Sequence, residues 1–176
     1  MSAWQVERLD PSRPEEIAEY ERTFYAAFRR AAGNRLIRKL WLWDDEAARV
    51  RTRIPYDAQI LYAMRDERGR LVTAMGVNTA MQAFQSEAYG FSPPRDRAGS
   101  CEFLTVFSVG EYRLRTRFQF RRDSFADLAR SGFHTAYATT ARRVLNLHVR
   151  GFGGRVLEER EIEGEARYFL AFDLER

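Results

Sequence analysis

One cysteine, two histidines and one lysine among 176 residues set the first limits on this chain. The lone Cys101 excludes an internal disulfide and leaves a cysteine-based metal site without partners. His134 and His148 stand in no His-x-x-x-His or comparable ligand spacing, so a metal enzyme is not expected. No apolar run approaches the roughly 18 to 20 residues that span a bilayer, and the polar opening MSAWQVERLD lacks the basic-then-apolar order of a secretion signal. The expectation is a cytoplasmic protein without membrane attachment. There is no Gly-x-x-x-x-Gly-Lys-Ser/Thr loop and no Gly-x-Ser-x-Gly elbow, which removes P-loop kinase and serine-hydrolase chemistry. Internal repeats, low-complexity tracts and interdomain linkers are missing too, so residues 1–176 read as one domain.

Large apolar side chains, by contrast, are plentiful. Apolar residues make up 45% of the chain and aromatics 14%, with 13 Phe, 8 Tyr and 3 Trp. That content suits a packed core and not a disordered chain. The net charge of +4 rests on arginine: Lys39 is the only lysine, so 28 of the 29 basic residues are arginines. Arginine forks hold phosphate bidentately, but genomic base composition explains a chain-wide bias as simply. Local clustering is more telling. Arg113, Arg115, Arg117, Arg121 and Arg122 fall within ten residues, and in a helix 113, 117 and 121 share one face. Such a group asks for an anion or for neighbouring acids. The segment RLRTRFQFRR also interleaves basic and aromatic residues as nucleic-acid binders do. Leu114, Phe118, Phe125 and Leu128 at helical spacing turn its apolar residues to the core, which leaves no stacking platform, so no nucleic-acid partner is expected.

Period and punctuation give the elements. Trp4 to Leu9 alternates as a first strand. Ser12 with Glu15, and Pro14 in the first turn, reads as a capping-box start for a helix whose buried face is Ile17, Tyr20, Phe24 and Phe28. The spacing of Leu36, Ile37, Leu40, Trp41, Ala47 and Val50 predicts a second helix from about Arg35 to Val50. Gln59 to Met64 and Leu71 to Thr79 flank the charged turn Arg65–Gly69 as an antiparallel hairpin. The stretch MQAFQSEAYGFSPPRDRAGS is long for a connection in a compact domain. Its Phe84, Tyr89 and Phe91 make it a candidate wall or lid over an acceptor or acyl pocket.

A strand CEFLTVFSV, an arginine-loaded turn and helix, a strand HTAYATT, a helix RRVLNLHVR and a GFGGRVLEER stretch complete the chain. This order resembles the cofactor-binding half of the GNAT superfamily of N-acyltransferases, with Glu102 opening the strand and Tyr112-Arg113 ten residues on, where the family's pyrophosphate loop begins. The preceding strand, two helices and hairpin extend the likeness to nearly the whole chain. The resemblance implies a single α/β GNAT-like domain with a mixed central sheet flanked by helices. It implies transfer of an acyl group from a pantetheine thioester, either acyl-CoA or an acyl-phosphopantetheine on an acyl carrier protein, to a small-molecule amine acceptor, without metal.

In such a site a helix N-terminus and its loop hold the pyrophosphate, here Arg113, Arg115, Thr116, Arg117 and Phe118. A strand N–H within Val106, Phe107, Ser108 and Val109 polarises the thioester oxygen. Glu102 corresponds to a carboxylate base and His148 to the family's tyrosine acid. Thr116 and Phe118 depart from the family's x-x-Gly-x-Gly/Ala, where small residues let backbone approach phosphate; arginine side chains can substitute as donors. The alternative reading is a catalytically silent GNAT-like binding module. A homodimer is compatible with either.

Overall fold

The computed structural model describes residues 4–31, 33–92, 94, 97–110 and 114–175. One seven-stranded sheet organises them, with strand order β1-β4-β5-β6-β7-β9-β8. Its strands are β1 (Val6–Arg8), β4 (Gln59–Arg65), β5 (Leu71–Asn78), β6 (Ser100–Ser108), β7 (Thr135–Ala141), β8 (Arg155–Ile162) and β9 (Glu165–Asp173). All neighbours are antiparallel except β6 and β7, which run parallel. The sheet is therefore mixed, and the helix α3 (Leu114–Arg130) is the crossover that a parallel pair needs.

Two apolar layers sandwich the sheet. On one face α1 (Pro14–Phe28) and α2 (Arg35–Leu40) bury Tyr20, Phe24, Leu36, Ile37 and Leu40 against Leu61, Ala63, Ala74 and Phe107. On the other, Phe120, Phe125 and Leu128 of α3 pack on Met64, Met75, Phe103, Ala136 and Phe172. Beside α3 lie the short helix α4 (Arg142–Asn146) and a π-turn over Leu147–Gly151. Gly76 in β5 is obligatory: an added Cβ would stand 2.9 Å from the Tyr20 hydroxyl and 3.0 Å from Gln59 Oε1. Among the described residues no helix is long and apolar enough to cross a membrane.

Two local expectations are corrected. The region read as one helix to Val50 stops at Leu40 and continues as a hairpin, β2 (Leu42–Asp44) and β3 (Arg49–Arg51), with Trp43 opposite Val50. The Asp44 side chain accepts from the Ala47 N–H, closing the turn that the helical spacing had concealed. At α1 the N-cap is Arg13 and makes no side-chain cap bond. Ser12 instead donates to Asp10, and Glu16 reaches back to the Asp10 N–H.

Candidate active site

The parallel pairing of β6 and β7 runs from Ser100 opposite Thr135 to Phe103 opposite Ala138 and stops there. Beyond it β6 follows β5 to Ser108, and β7 follows β9 to Ala141. The two strands part, leaving an opening with Leu104–Ser108 on one edge and Thr139–Ala141 on the other. The parting begins at a bulge. Gly76 lies opposite Thr105 and Val77 opposite Phe103, so Leu104 is the extra residue, and an extra residue bends its strand. Its carbonyl accepts from Gln85 Nε2 at 2.9 Å.

Beyond the bulge the amides can be oriented. The Val109 N–H donates to the Val72 carbonyl, hence toward β5. Alternation along the strand directs the Phe107 N–H the same way and those of Val106 and Ser108 into the opening. The Val106 side chain is 47% exposed at this edge, one of few large apolar residues that is.

Glu102 sits one residue before the last paired position and is fully buried. Four donors converge on its carboxylate. Oε1 accepts from the Ser86 N–H and the Ser86 hydroxyl, both at 2.8 Å. Oε2 accepts from the Gln85 N–H at 2.8 Å and Asn78 Nδ2 at 3.3 Å. Burial pushes the carboxyl above its ordinary range, and these bonds hold it back without cancelling the rise. Thr139, the first β7 residue past the pairing, donates from Oγ1 to Ser86 Oγ at 2.8 Å.

These donors belong to the long connection, whose one-turn helix Gln85–Tyr89 ends at Gly90 in the left-handed region (φ 79). An added Cβ there would meet Arg160 Nη1 at 3.0 Å. Phe84 and Phe91 are buried, at 4% and 1% exposure. Both pack on Phe169, Phe91 in a stack at 5.4 Å and Phe84 edge-on at 5.8 Å. Tyr89 is half-buried, with the Arg167 guanidinium 5.7 Å from its ring centre. The connection is thus docked on the sheet face that carries Glu102, with its aromatic residues packed on β9.

His148 lies across the sheet from Glu102. Its ring packs on Phe152 (5.8 Å) and on Phe172 (6.0 Å), which pairs with Ala136 in the closed part of the sheet. Burial, then the nearby Arg121 charge, pull its pKa down to about 4, so the imidazole is neutral at neutral pH and a poor acid toward a thiolate. The structure does not bring the two expected catalytic residues together.

The arginine cluster also divides. Arg113 and the side chain of Arg115 lie outside the described residues. Thr116, Arg117 and Phe118 are helical residues of the first turns of α3, with Arg117 exposed. Phe118 packs edge-on against Phe152 at 5.4 Å. Arg121 meets neutral groups in place of the anion or acids expected for its shared face: it donates to the Gly151 and Phe152 carbonyls and lies between the rings of Phe125 (4.3 Å) and Phe152 (4.7 Å). Desolvation lowers its pKa to about 10. Arg122 pairs with Asp123 at 2.9 Å.

Sequence reasoning missed Asn78, Gln85, Ser86 and Thr139. An Asn ending an otherwise apolar strand was the one available sign; loop amides that reach a carboxylate leave none.

A seven-stranded mixed sheet that opens between two parallel strands, with helices on both faces, is the fold of the GNAT N-acyltransferases. No protein-family model and no curated protein sequence matches the chain; the likeness is structural. The chain is similar to a CoA-dependent acyl-homoserine lactone synthase, BjaI, solved with SAM and isopentyl-CoA, at TM-score 0.76 and 14% identity, covering 99% of this chain and 85% of that one. It is similar to TofI, solved with an inhibitor and MTA, at TM-score 0.70 and 15% identity, with 97% and 91% coverage. The ribosomal-protein-S18-alanine N-acetyltransferase of Escherichia coli follows the same fold at TM-score 0.61 and 7% identity, with 98% and 94% coverage.

Proposed function

We propose that this protein is an N-acyltransferase that moves an acyl group from a pantetheine thioester to an amine. The observation that carries the reading is the opening between β6 and β7 with a buried, hydrogen-bonded carboxylate at its vertex. In this reading the pantetheine arm lies along Leu104–Ser108, the exposed Val106 side chain gives it an apolar contact, and the Val106 or Ser108 N–H polarises the thioester oxygen. Glu102 takes the proton that the attacking amine must lose. Arg113, Arg115 and Arg117 hold the donor's phosphates in place of the missing loop glycines. Acyl-CoA is the simplest donor, and the similar synthase BjaI is CoA-dependent; an acyl carrier protein presents the same arm.

The silent-module reading has its own support, since pinning the connection is by itself a sufficient role for a carboxylate with four donors and no exposure. Thermal unfolding with coenzyme A, several acyl-CoAs and an acylated carrier protein separates donor binding from its absence. A ligand present at 100 times its Kd stabilises by about 2.7 kcal/mol. No shift with any pantetheine compound at millimolar concentration and low salt would leave the silent module standing.

A further inference from the structure

Glu102 has no surface of its own, so a base at this position needs a path to the amine. The path is present in two hydroxyl groups. Thr139 Oγ1 donates to Ser86 Oγ, and Ser86 Oγ donates to Glu102 Oε1, each at 2.8 Å. Thr139 is half-buried at the point where β7 leaves β6, whereas Ser86 is 2% exposed. One end of the string is therefore at the opening and the other on the buried carboxylate.

We propose that Thr139 and Ser86 form a proton relay between the amine and Glu102, and that the same relay returns the proton to the departing thiolate. This rests on the acyl-transfer reading above. After the amine attacks the thioester carbonyl, its nitrogen carries an excess proton. That N–H bond breaks as Thr139 Oγ1 takes the proton; Thr139 passes its own hydrogen to Ser86 Oγ, and Ser86 passes its own to Glu102 Oε1. Both hydroxyls end neutral, with their hydrogens now directed away from the carboxylic acid. When the carbon–sulfur bond breaks, the thiolate accepts a proton from Thr139 and the string resets from Glu102. The net change is amide plus thiol from amine plus thioester, with no other reactant. The remaining donors explain why the carboxylate stays in place throughout: the Ser86 and Gln85 N–H groups and Asn78 hold it independently of the relay hydrogens.

The test uses the full chain and reads thiol release from acetyl-, butyryl- and octanoyl-CoA, with L-amino acids and alkylamines as acceptors. Thr139→Val keeps the side-chain shape and removes the outer hydroxyl; Ser86→Ala removes the inner one; Thr139→Ser keeps the outer hydroxyl. We expect kcat to fall about 10²-fold in Thr139→Val and Ser86→Ala, at the low end of general acid–base losses. KM for the thioester should hold, and Thr139→Ser should recover most of the rate. Rates in mixed H2O and D2O give a readout that packing alone does not move: a curved dependence on deuterium fraction in the wild type, from several protons in flight, becoming linear in both deletions. Should Ser86→Ala fold poorly, Thr139→Val carries the test alone, because it leaves every Glu102 bond intact. Wild-type turnover with unchanged rate and curvature in Thr139→Val would overturn the relay and spare the acyl-transfer reading. No thiol release from any of these thioesters or from an acylated carrier protein, with no thermal shift from any pantetheine compound, would end the reading and the relay with it.

Discussion

Replacing Glu102 by Gln separates the proposed base from the structural anchor, because the amide keeps the shape but offers one acceptor oxygen where the carboxylate offers two. If the new NH2 faces Gln85 and Asn78, two donors confront it. If it faces Ser86, the hydroxyl can turn to accept and only the Ser86 N–H loses its partner. The second arrangement costs less, and it still orphans one buried backbone donor, a loss of roughly 1–3 kcal/mol. For a domain of this size that lowers Tm by about 2 to 12 °C.

The pH dependence has a fixed sign. Because burial raises the carboxyl in the folded state, its contribution to stability is fully present below the unfolded value of about 4.3 and is lost as pH rises through the folded one. Gln cannot titrate, so the stability gap between wild type and variant is widest on the acid side and narrows upward. Thermal unfolding followed by circular dichroism from pH 5 to 8 reads both quantities, and hydrogen exchange at Gln85 and Ser86 should quicken. On acyl transfer, kcat should fall about 10²- to 10⁴-fold. A Tm within about 1 °C of wild type, with unchanged exchange at both amides, would refute the pinning argument whatever the kinetics.

His148→Phe should leave kcat within about two-fold of wild type, since a neutral imidazole contributes little as an acid; a large loss of rate with donor binding intact would return the acid role to His148. The folded His148 pKa of about 4 lies below its ordinary value, so its contribution to stability is present above pH 6.5 and lost as pH falls toward 4, and the Phe variant should unfold less readily in acid. Phe91→Ala should cost about 3–5 kcal/mol in urea unfolding, because its ring is 1% exposed and stacked on Phe169. A shift of acyl-chain preference without that loss would mean that the ring lines an open pocket instead.

The fold was legible where one period dominated. The β4–β5 hairpin, β6, α3 and β7 follow their apolar patterns within a residue or two, and their order alone pointed to the sheet. The second helix failed because Leu36, Ile37 and Leu40 are buried by α2 whereas Trp41 and Val50 are buried from the β2–β3 hairpin region, and both geometries put apolar residues at similar intervals. β9 gave no alternation because residues from Arg167 to Phe172 are all buried. Glu102 could be picked out by its place at the start of β6. Its partners could not, since two are main-chain amides of a loop whose path depends on Phe84 and Phe91 finding Phe169. The arginine stripe misled for a related reason: charge pattern alone does not show that carbonyls at Gly151 and Phe152 stand ready to take Arg121 inward.

The bulge at Leu104 makes the opening a matter of residue number as well as residue type. Thr105 and Phe107 lie on the same face as Glu102, three and five positions away, which plain alternation forbids and one surplus residue permits. A chain shortened by that residue would keep every later β6 side chain on its present face, Thr105 still against Tyr20 and Phe107 still against Phe24. What it would lose is the bend, and with it the reason for β6 to leave β7. The core therefore tolerates both lengths, and a one-residue deletion, silent in hydrophobic pattern, is the change that would turn this open sheet into a closed one.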